Sequence, residues 1–467
     1  MHQLSCKAPW LFNGDGALMN ITSRTCLLFL VITTLAWFSN HQNLNTTVVI
    51  LNWSRLPNVN EIISQICTNL LDDTVHEIII WNNNPQELSF YLSFPNTTCP
   101  QDKLRIINSP ANLYFQARFM ACAEVKTKYC FIQDDDYLIR PRIIRALSQR
   151  MESRRLSSIH LQPPHEMLTS ELRTITIQDN IHATFAWLGY GTIIKRSLAV
   201  DFLALLDQLN LTDEEHKMAD NYFTILGNWL PERWFDPGIS LGGGQPFTVG
   251  SEGEERNNRH IRRAADLLNE IMSTNRTWPY VSNFQSNRYT KAITTAPCQQ
   301  SACIFETSIN LLPSNILEVY SAKSAVDILI VEQQRKSAVG ENRVSHYLDF
   351  PPSNAVDGET NTAFCSFEGV GENDWVSLQL LDSRRTIDLG LVVDQASATL
   401  IEEANTETSE DGINWILSDS TWTCEAFTKD ETGRLICKEQ LDLTTHYIRL
   451  RMSRDYRQRL CIFEIFV

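Results

Sequence analysis

Lys126-Thr127-Lys128-Tyr129-Cys130-Phe131-Ile132-Gln133-Asp134-Asp135-Asp136 runs from a basic turn through an apolar core into three consecutive carboxylates. A short, continuously apolar run bounded by charge reads as a strand covered on both faces, the pattern of parallel sheets. The surrounding sequence repeats it. Val48–Asn52 (VVILN) reads as a buried strand, followed by Val59, Ile62, Ile63, Ile66 and Leu70 at helical spacing. Glu77–Trp81 (EIIIW) is a second strand, ended by the turn Asn82-Asn83-Asn84-Pro85, and Leu104–Ile107 is a third. A helix over Arg118–Val125 then leads into Tyr129–Gln133. Repeated β-α-β predicts a mostly parallel sheet with helices on both faces and ligands at the carboxyl ends of the strands. Later helices are expected over Ile194–Leu209 and Asn257–Met272.

The DDD strand therefore ends where a ligand belongs. Three adjacent carboxylates repel one another unless a cation or strong donors compensate. Oxygen ligands at such a place suit Mn²⁺ or Mg²⁺, which complete their shells with water and phosphate. On its own the motif also fits a solvated acidic turn. Arg118, on the helix before the strand, and Arg55, after the first strand, are both expected at the same edge, where cations meet phosphate. The five-glycine run Leu241–Gly253 (LGGGQPFTVGSEG) reads either as a lid over a substrate or as an ordinary loop.

After Ala292 the pattern changes to short β-type runs at Trp375–Leu381, Asp388–Val393, His446–Met452 and Cys461–Val467, separated by turns and without helical segments. These predict a β-sandwich, with a boundary near residue 297. The expected organisation is residues 1–44 as tail and anchor, 45–296 as an α/β domain and 297–467 as an all-β domain.

The chain of 467 residues is 43% hydrophobic and 20% charged, which excludes wholesale disorder and a polytopic membrane protein. Its net charge of -15 argues against a nucleic-acid partner. Cys26–Phe38 is an apolar run spanning roughly 20 Å as a helix, short for a bilayer core of about 30 Å. It reads as a signal-peptide core or a short signal anchor; Lys7 and Arg24 precede it, which places the bulk of the chain in the lumen. Asn-X-Ser/Thr sequons at Asn45, Asn52, Asn96, Asn210 and Asn275 agree, with Asn52 set in a strand and expected to be unmodified. In such a compartment pairs such as Cys424 with Cys437 would be disulfides.

Arg55, Trp81-Asn82-Asn83, Arg118-Phe119 and Asp134-Asp135-Asp136, in this order and spacing, together with the run into the DDD, resemble the exostosin-type glycosyltransferases (glycosyltransferase family 64) over roughly Thr46–Pro279. The resemblance implies a GT-A fold, Rossmann-like and nucleotide-sugar-binding, and a retaining transfer from a UDP-sugar, an N-acetylhexosamine or a related sugar, with Mn²⁺ or Mg²⁺. It implies that Arg55, Asn82 and Arg118 hold uridine and diphosphate, and that Asp134 and Asp135 contact uridine, ribose or donor sugar. Asp136 would be the main metal ligand, with Asp134 beside it. A later acidic pair of the family corresponds to Ala219-Asp220, where only Asp220 keeps the acid; Asp220 would work near the anomeric carbon. The family's cysteine before that pair is Met218 here. Arg263, in a basic stretch taken to open the helix ending at Met272, matches a family arginine that would stabilise the departing diphosphate.

Ser353-Asn354-Ala355-Val356-Asp357-Gly358, Asp374-Trp375-Val376, Ser409–Trp415 and Tyr447-Ile448-Arg449-Leu450 resemble the discoidin, or coagulation-factor C-type, domain. Trp375 and Trp415 are read as core residues. Together the readings imply a single-pass type II Golgi or ER membrane glycosyltransferase, or a secreted one, with a glycan or glycoprotein acceptor. The rivals are a catalytically inactive GT-A scaffold that binds glycans, motivated by Ala219, an inverting transferase, and a metal-dependent hydrolase.

Overall fold

The computed structural model describes residues 44–177, 180–243, 250–274, 276–282, 293–382, 387–427, 433–441 and 445–467. The apolar run Cys26–Phe38, the sequon at Asn275 and residues 244–249 of the glycine-rich run lie outside them. Among the described residues no helix is long and apolar enough to cross a membrane.

Thirteen described strands form one sheet, in the order Leu104–Asn108, Val75–Asn82, Thr46–Asn52, Tyr129–Gln133, Thr192–Lys195, Ser158–Gln162, Glu232–Phe235, Thr294–Pro297, Cys303–Thr307, Trp375–Leu380, Tyr447–Arg451, Asn405–Ser409 and Ile416–Leu417. The first four are mutually parallel. Their continuous apolar runs are what a sheet covered on both faces demands: Val48, Val49, Ile50, Ile78, Ile79, Ile80, Phe131 and Ile132 are fully buried. Thr192–Lys195 runs antiparallel to both neighbours. The helix Leu56–Asn69 starts with proline in its first turn and buries Val59, Ile62, Ile63 and Ile66, the spacing read from the sequence.

A five-stranded antiparallel sheet, ordered Phe364–Cys365, Cys461–Phe466, Ile387–Val393, Leu435–Leu441 and Thr423–Ala426, faces the far half of the long sheet. Phe305, Leu378, Leu391, Ile448 and Ile465 fill the space between them. The α/β architecture followed by a β-sandwich is thus as expected, but the two parts share a backbone ladder. Trp234 pairs with Thr295 in parallel, and every later pairing in the sheet is antiparallel. The disulfide Cys298–Cys303 spans the hairpin just past residue 297.

Three elements differ from the sequence reading. Residues 297–467 are not free of helix: Ile328–Val339, Glu341–Asp349 and Gln395–Glu403 are helical. The first buries Ile328, Val331, Arg335 and Val339, an apolar stripe with an arginine in it, and packs on the helix Pro164–Leu172 of the α/β part. The helix expected from Ile194 begins at Arg196, because Thr192–Lys195 is a strand. The helix ending at Met272 begins at Ser251, with Glu252 and Glu254 in its first turn, so the basic stretch 259–263 lies inside it.

Arg150 ties the two parts together. From the helix Pro141–Arg154 it donates to Glu232 at 2.9 Å, Gln379 at 2.7 Å and Glu306 at 2.6 Å, all at buried or half-buried positions. Arg150→Met leaves two carboxylates without their cation and is expected to cost about 3–5 kcal/mol, read as a lower urea midpoint.

His160, in the strand Ser158–Gln162, is fully buried; its Nδ1 donates to the Trp187 carbonyl at 3.0 Å and its Nε2 accepts from Ser158 at 3.2 Å. Burial pushes its pKa down to about 4. The unfolded chain takes up this proton near pH 6.5 and the folded chain only near 4. Stability is therefore fully present above pH 6.5 and falls as pH drops through that window, by about 3 kcal/mol in the limit. Melting temperatures of the native chain and His160→Gln between pH 7 and 4.5 test this; the variant is expected to show the shallower fall.

Candidate functional site

The parallel strands bring their carboxyl ends into register, with Asn52 paired to Asn82 and Asn82 to Asn108. Beside them the DDD strand ends at Gln133, and the chain turns so that the Asp134 amide donates to the Gly189 carbonyl at 2.9 Å. The helix Gln116–Glu124 lies against this strand and is tied to it by the disulfide Cys122–Cys130. Arg118, in its first turn, is thereby aimed at the carboxylates.

Arg118 is 1% exposed. One guanidinium nitrogen donates to both oxygens of Asp134, at 2.5 and 2.7 Å, and the other donates to Asp220 Oδ2. Asp220 opens the helix Asp220–Gly227 and is itself 1% exposed, with Oδ1 lacking a partner. Burial pushes the Asp220 carboxyl up to about 7 even with Arg118 beside it. A β-carbon at Gly189, in the turn before Thr192–Lys195, would collide with the Asp134 carboxylate where Arg118 holds it, so glycine leaves that carboxylate its place.

Arg55 holds the second carboxylate. It donates to Asp135 Oδ1 at 2.6 Å, passes Asp136 at 3.8 Å and donates from Nε to the Gly243 carbonyl at 3.1 Å. Asn58 bonds the Asp135 carbonyl at 2.9 Å and the Gly242 carbonyl at 3.0 Å, and the Leu241 amide bonds the Asp136 carbonyl at 2.9 Å. The start of the glycine-rich run is thus fastened over the carboxylates, while Ser251–Gly253 belongs to the following helix.

Asp136 is the carboxylate of the three left open. Burial and the neighbouring Asp134 raise its pKa to about 6; Asp135 is raised for the same two reasons and its buried Oδ2 has no partner. Among the described residues Asp136 has no close cation, Arg55 being its nearest at 3.8 Å. The residues fit a Mn²⁺ or Mg²⁺ ion held chiefly through Asp136, since Asp134 is committed to Arg118. Among the described residues no group of three or more His, Cys, Asp or Glu side chains forms a closed metal cage; such an ion would depend on substrate phosphate oxygens for further ligands.

The structure brings together Arg55, Arg118, Asp134, Asp135, Asp136 and Asp220. It places two other candidates elsewhere. Asn82 is fully buried: it accepts from Asn52 at 2.7 Å and donates to Asn108 at 2.9 Å and to the Gln86 carbonyl at 2.8 Å. Asn82 therefore shapes the strand ends from beneath and offers no free polar group to a nucleotide. Arg263, inside the helix Ser251–Met272, donates to Glu215 at 3.0 Å and approaches Glu270 at 4.0 Å. Neither partner belongs to the aspartate cluster. Ala219 is fully buried in the apolar core, a place that would not accept an acid. The sequence reading passed over Asn58, Gly189 and Trp53. Trp53 is 49% exposed beside Arg55; its aromatic ring within Asn52-Trp53-Ser54-Arg55 was the available signal.

No family profile matches the sequence, and no curated protein matches it. Among solved structures, the α/β region is similar to the mannosyltransferase PcManGT from Pyrobaculum calidifontis in complex with GDP-Man and Mn²⁺, at 12% identity and TM-score 0.35 over 54% of this chain and 73% of that one. S. aureus TarS 1–349 in complex with UDP-GlcNAc is similar at 11% identity and TM-score 0.32, over 50% of this chain and 68% of its own. CBM32-1 from a family 31 glycoside hydrolase of Clostridium perfringens is similar at 17% identity and TM-score 0.19, over 24% of this chain and 81% of its own. These overlaps are partial and of low score, and the functional assignment rests on the side chains of the site.

Proposed function

We propose that this chain is a metal-dependent, retaining glycosyltransferase of GT-A type. It moves a sugar, an N-acetylhexosamine, from a UDP donor to a glycan or glycoprotein in the lumen of the secretory pathway, with Cys26–Phe38 as its anchor. The observation that carries this reading is the buried Arg118, clamped between Asp134 and Asp220, beside an Asp136 left open at the same strand end.

Arg55 fixes Asp135 and the Gly243 segment, so the cleft wall is set before substrate arrives. Trp53 offers an exposed ring to a nucleotide base. Asp136 would hold a divalent cation, which would supply charge neutralisation for the departing diphosphate. Asp220 lies behind Arg118 and nearly out of solvent's reach, so it positions the arginine and is badly placed as a nucleophile. That favours a same-face transfer without a covalent intermediate on the protein. The lumenal setting is supported by five disulfides, Cys67–Cys99, Cys122–Cys130, Cys298–Cys303, Cys365–Cys461 and Cys424–Cys437.

The test is calorimetric titration of UDP and UDP-sugars into the full chain with Mn²⁺ or with EDTA, with UDP release followed in parallel. Binding that needs Mn²⁺ and turnover of one donor are expected; no UDP binding with any divalent metal sinks the reading. The buried Ala219 favours a second reading, an inactive scaffold that binds glycans. UDP binding without hydrolysis or transfer across a panel of acceptors would favour it.

A further inference from the structure

The sequons at Asn45, Asn52, Asn96 and Asn210 lie among the described residues, and the fold treats them in two ways. Asn45 leads into the strand Thr46–Asn52 and Asn52 ends it. Asn45 is half-buried; its Oδ1 accepts from Ser148 at 2.9 Å and from Thr46 at 3.1 Å, and its carbonyl accepts from the Tyr129 amide at 2.9 Å. Thr47, the hydroxyl residue of that sequon, is fully buried and bonds Thr127 at 2.8 Å. Asn52 is 3% exposed, and its Nδ2, the atom that takes the sugar in a glycosylated asparagine, donates to Asn82 at 2.7 Å.

The other two sequons lie in exposed turns. Asn96 is exposed where the Thr97 amide bonds the Phe94 carbonyl at 3.2 Å, and Thr98 is exposed beside it. The disulfide Cys67–Cys99 fixes the end of this turn. Asn210 is exposed just past the helix Arg196–Gln208, at a φ of 50°, the left-handed region that asparagine enters more readily than most residues. Thr212 is exposed and caps the next helix, Asp213–Lys217, its hydroxyl accepting from the Glu215 amide at 3.3 Å. An exposed turn leaves a bulky, hydrated oligosaccharide in water; a strand in a covered sheet has no room for one.

We propose that Asn96 and Asn210 carry N-linked oligosaccharide and that Asn45 and Asn52 do not. This rests on the lumenal setting of the reading above. The co-reactant is an oligosaccharide carried on a lipid diphosphate. The asparagine Nδ2 forms a bond to C1 of the first sugar and the bond from C1 to the phosphate oxygen breaks. The lipid diphosphate leaves with that electron pair, and one Nδ2 proton passes to solvent. The product is a neutral amide, so the turns at Asn96 and Asn210 gain no charge.

The test is a peptide map of the full chain made in cells that hold this donor in the secretory lumen. Enzymatic release of the oligosaccharide converts each occupied asparagine to aspartate, which mass spectrometry locates site by site. Asn96 and Asn210 are expected to be occupied in most molecules, and Asn45 and Asn52 to remain asparagine. Asn96→Gln and Asn210→Asp are each expected to lose one oligosaccharide from the intact mass. Aspartate is chosen at 210 because it also tolerates the left-handed region, and Thr212 is left in place because it caps a helix. A bare Asn96, a bare Asn210, or sugar on Asn45 or Asn52 overturns the assignment. A chain without oligosaccharide at any sequon sinks the lumenal setting as well, whereas sugar at the wrong positions sinks the assignment alone.

Discussion

Arg118→Met is expected to lower the stability of the fold by about 3–5 kcal/mol, the largest effect of any single substitution in the cleft. The arginine is buried and serves two carboxylates, Asp134 and Asp220. Without it, Asp220 is left charged in the interior with neither oxygen bonded, or must take up a proton on folding. Asp220→Asn removes a charge instead of orphaning one, so it is expected to cost less than Arg118→Met. Urea unfolding of both variants checks the order. A native-like midpoint for Arg118→Met would show that the clamp contributes nothing, and would remove the physical reason for placing this pair under the donor. Mn²⁺-dependent UDP binding is expected to be lost in Arg118→Met even at temperatures where it stays folded.

Asp136→Asn is expected to do the opposite to the fold and the worst to the chemistry. Asp136 sits among like charges, with Arg55 at 3.8 Å as partial compensation. Replacing the carboxylate with an amide of the same shape relieves repulsion, so without metal the melting temperature is expected to equal or exceed that of the native chain near pH 7.5. Turnover of the UDP-sugar is expected to fall about 10³-fold, the scale of losing one preorganised charge-stabilising group. UDP with Mn²⁺ should raise the melting temperature of the native chain and leave the variant's unchanged. An Asp136→Asn chain that turns over at native rates would move the metal away from this residue.

The parallel half of the fold was legible because its strands are covered on both faces and read as unbroken apolar runs. The strands Ser158–Gln162 and Glu232–Phe235 were not legible for the converse reason. Ser158, His160, Gln162 and Trp234 are buried, and their polar atoms find partners such as the Trp187 carbonyl, Ser170 and Glu232, or one another, with Gln162 Oε1 the exception. Such satisfaction is a tertiary property that local pattern does not carry. The fused sheet hangs on one parallel pairing of Trp234 with Thr295, which no periodicity announces. The site divides in the same way. Arg55, Arg118 and the DDD were visible because strand-end position follows from the β-α-β pattern. Arg263 was misplaced because the glycine-rich run hides the start of its helix, although Ser251, Glu252 and Glu254 were a legible N-terminal signal. Asn82 looked like a ligand because asparagine at a strand end is polar; only the three-strand register shows that its neighbours use it up.

The ladder that runs unbroken from Leu104–Asn108 to Ile416–Leu417 also governs how the molecule can move. Enzymes with two bodies on a flexible tether admit substrate by swinging one body against the other about a hinge. Here such a swing would shear backbone hydrogen bonds and pull Arg150 from Gln379 and Glu306 at once. The α/β half and the sandwich are therefore one lever arm. Opening and closing fall to the connections at the carboxyl ends of the strands, first of all the segment that Arg55 and Asn58 fasten over the aspartates.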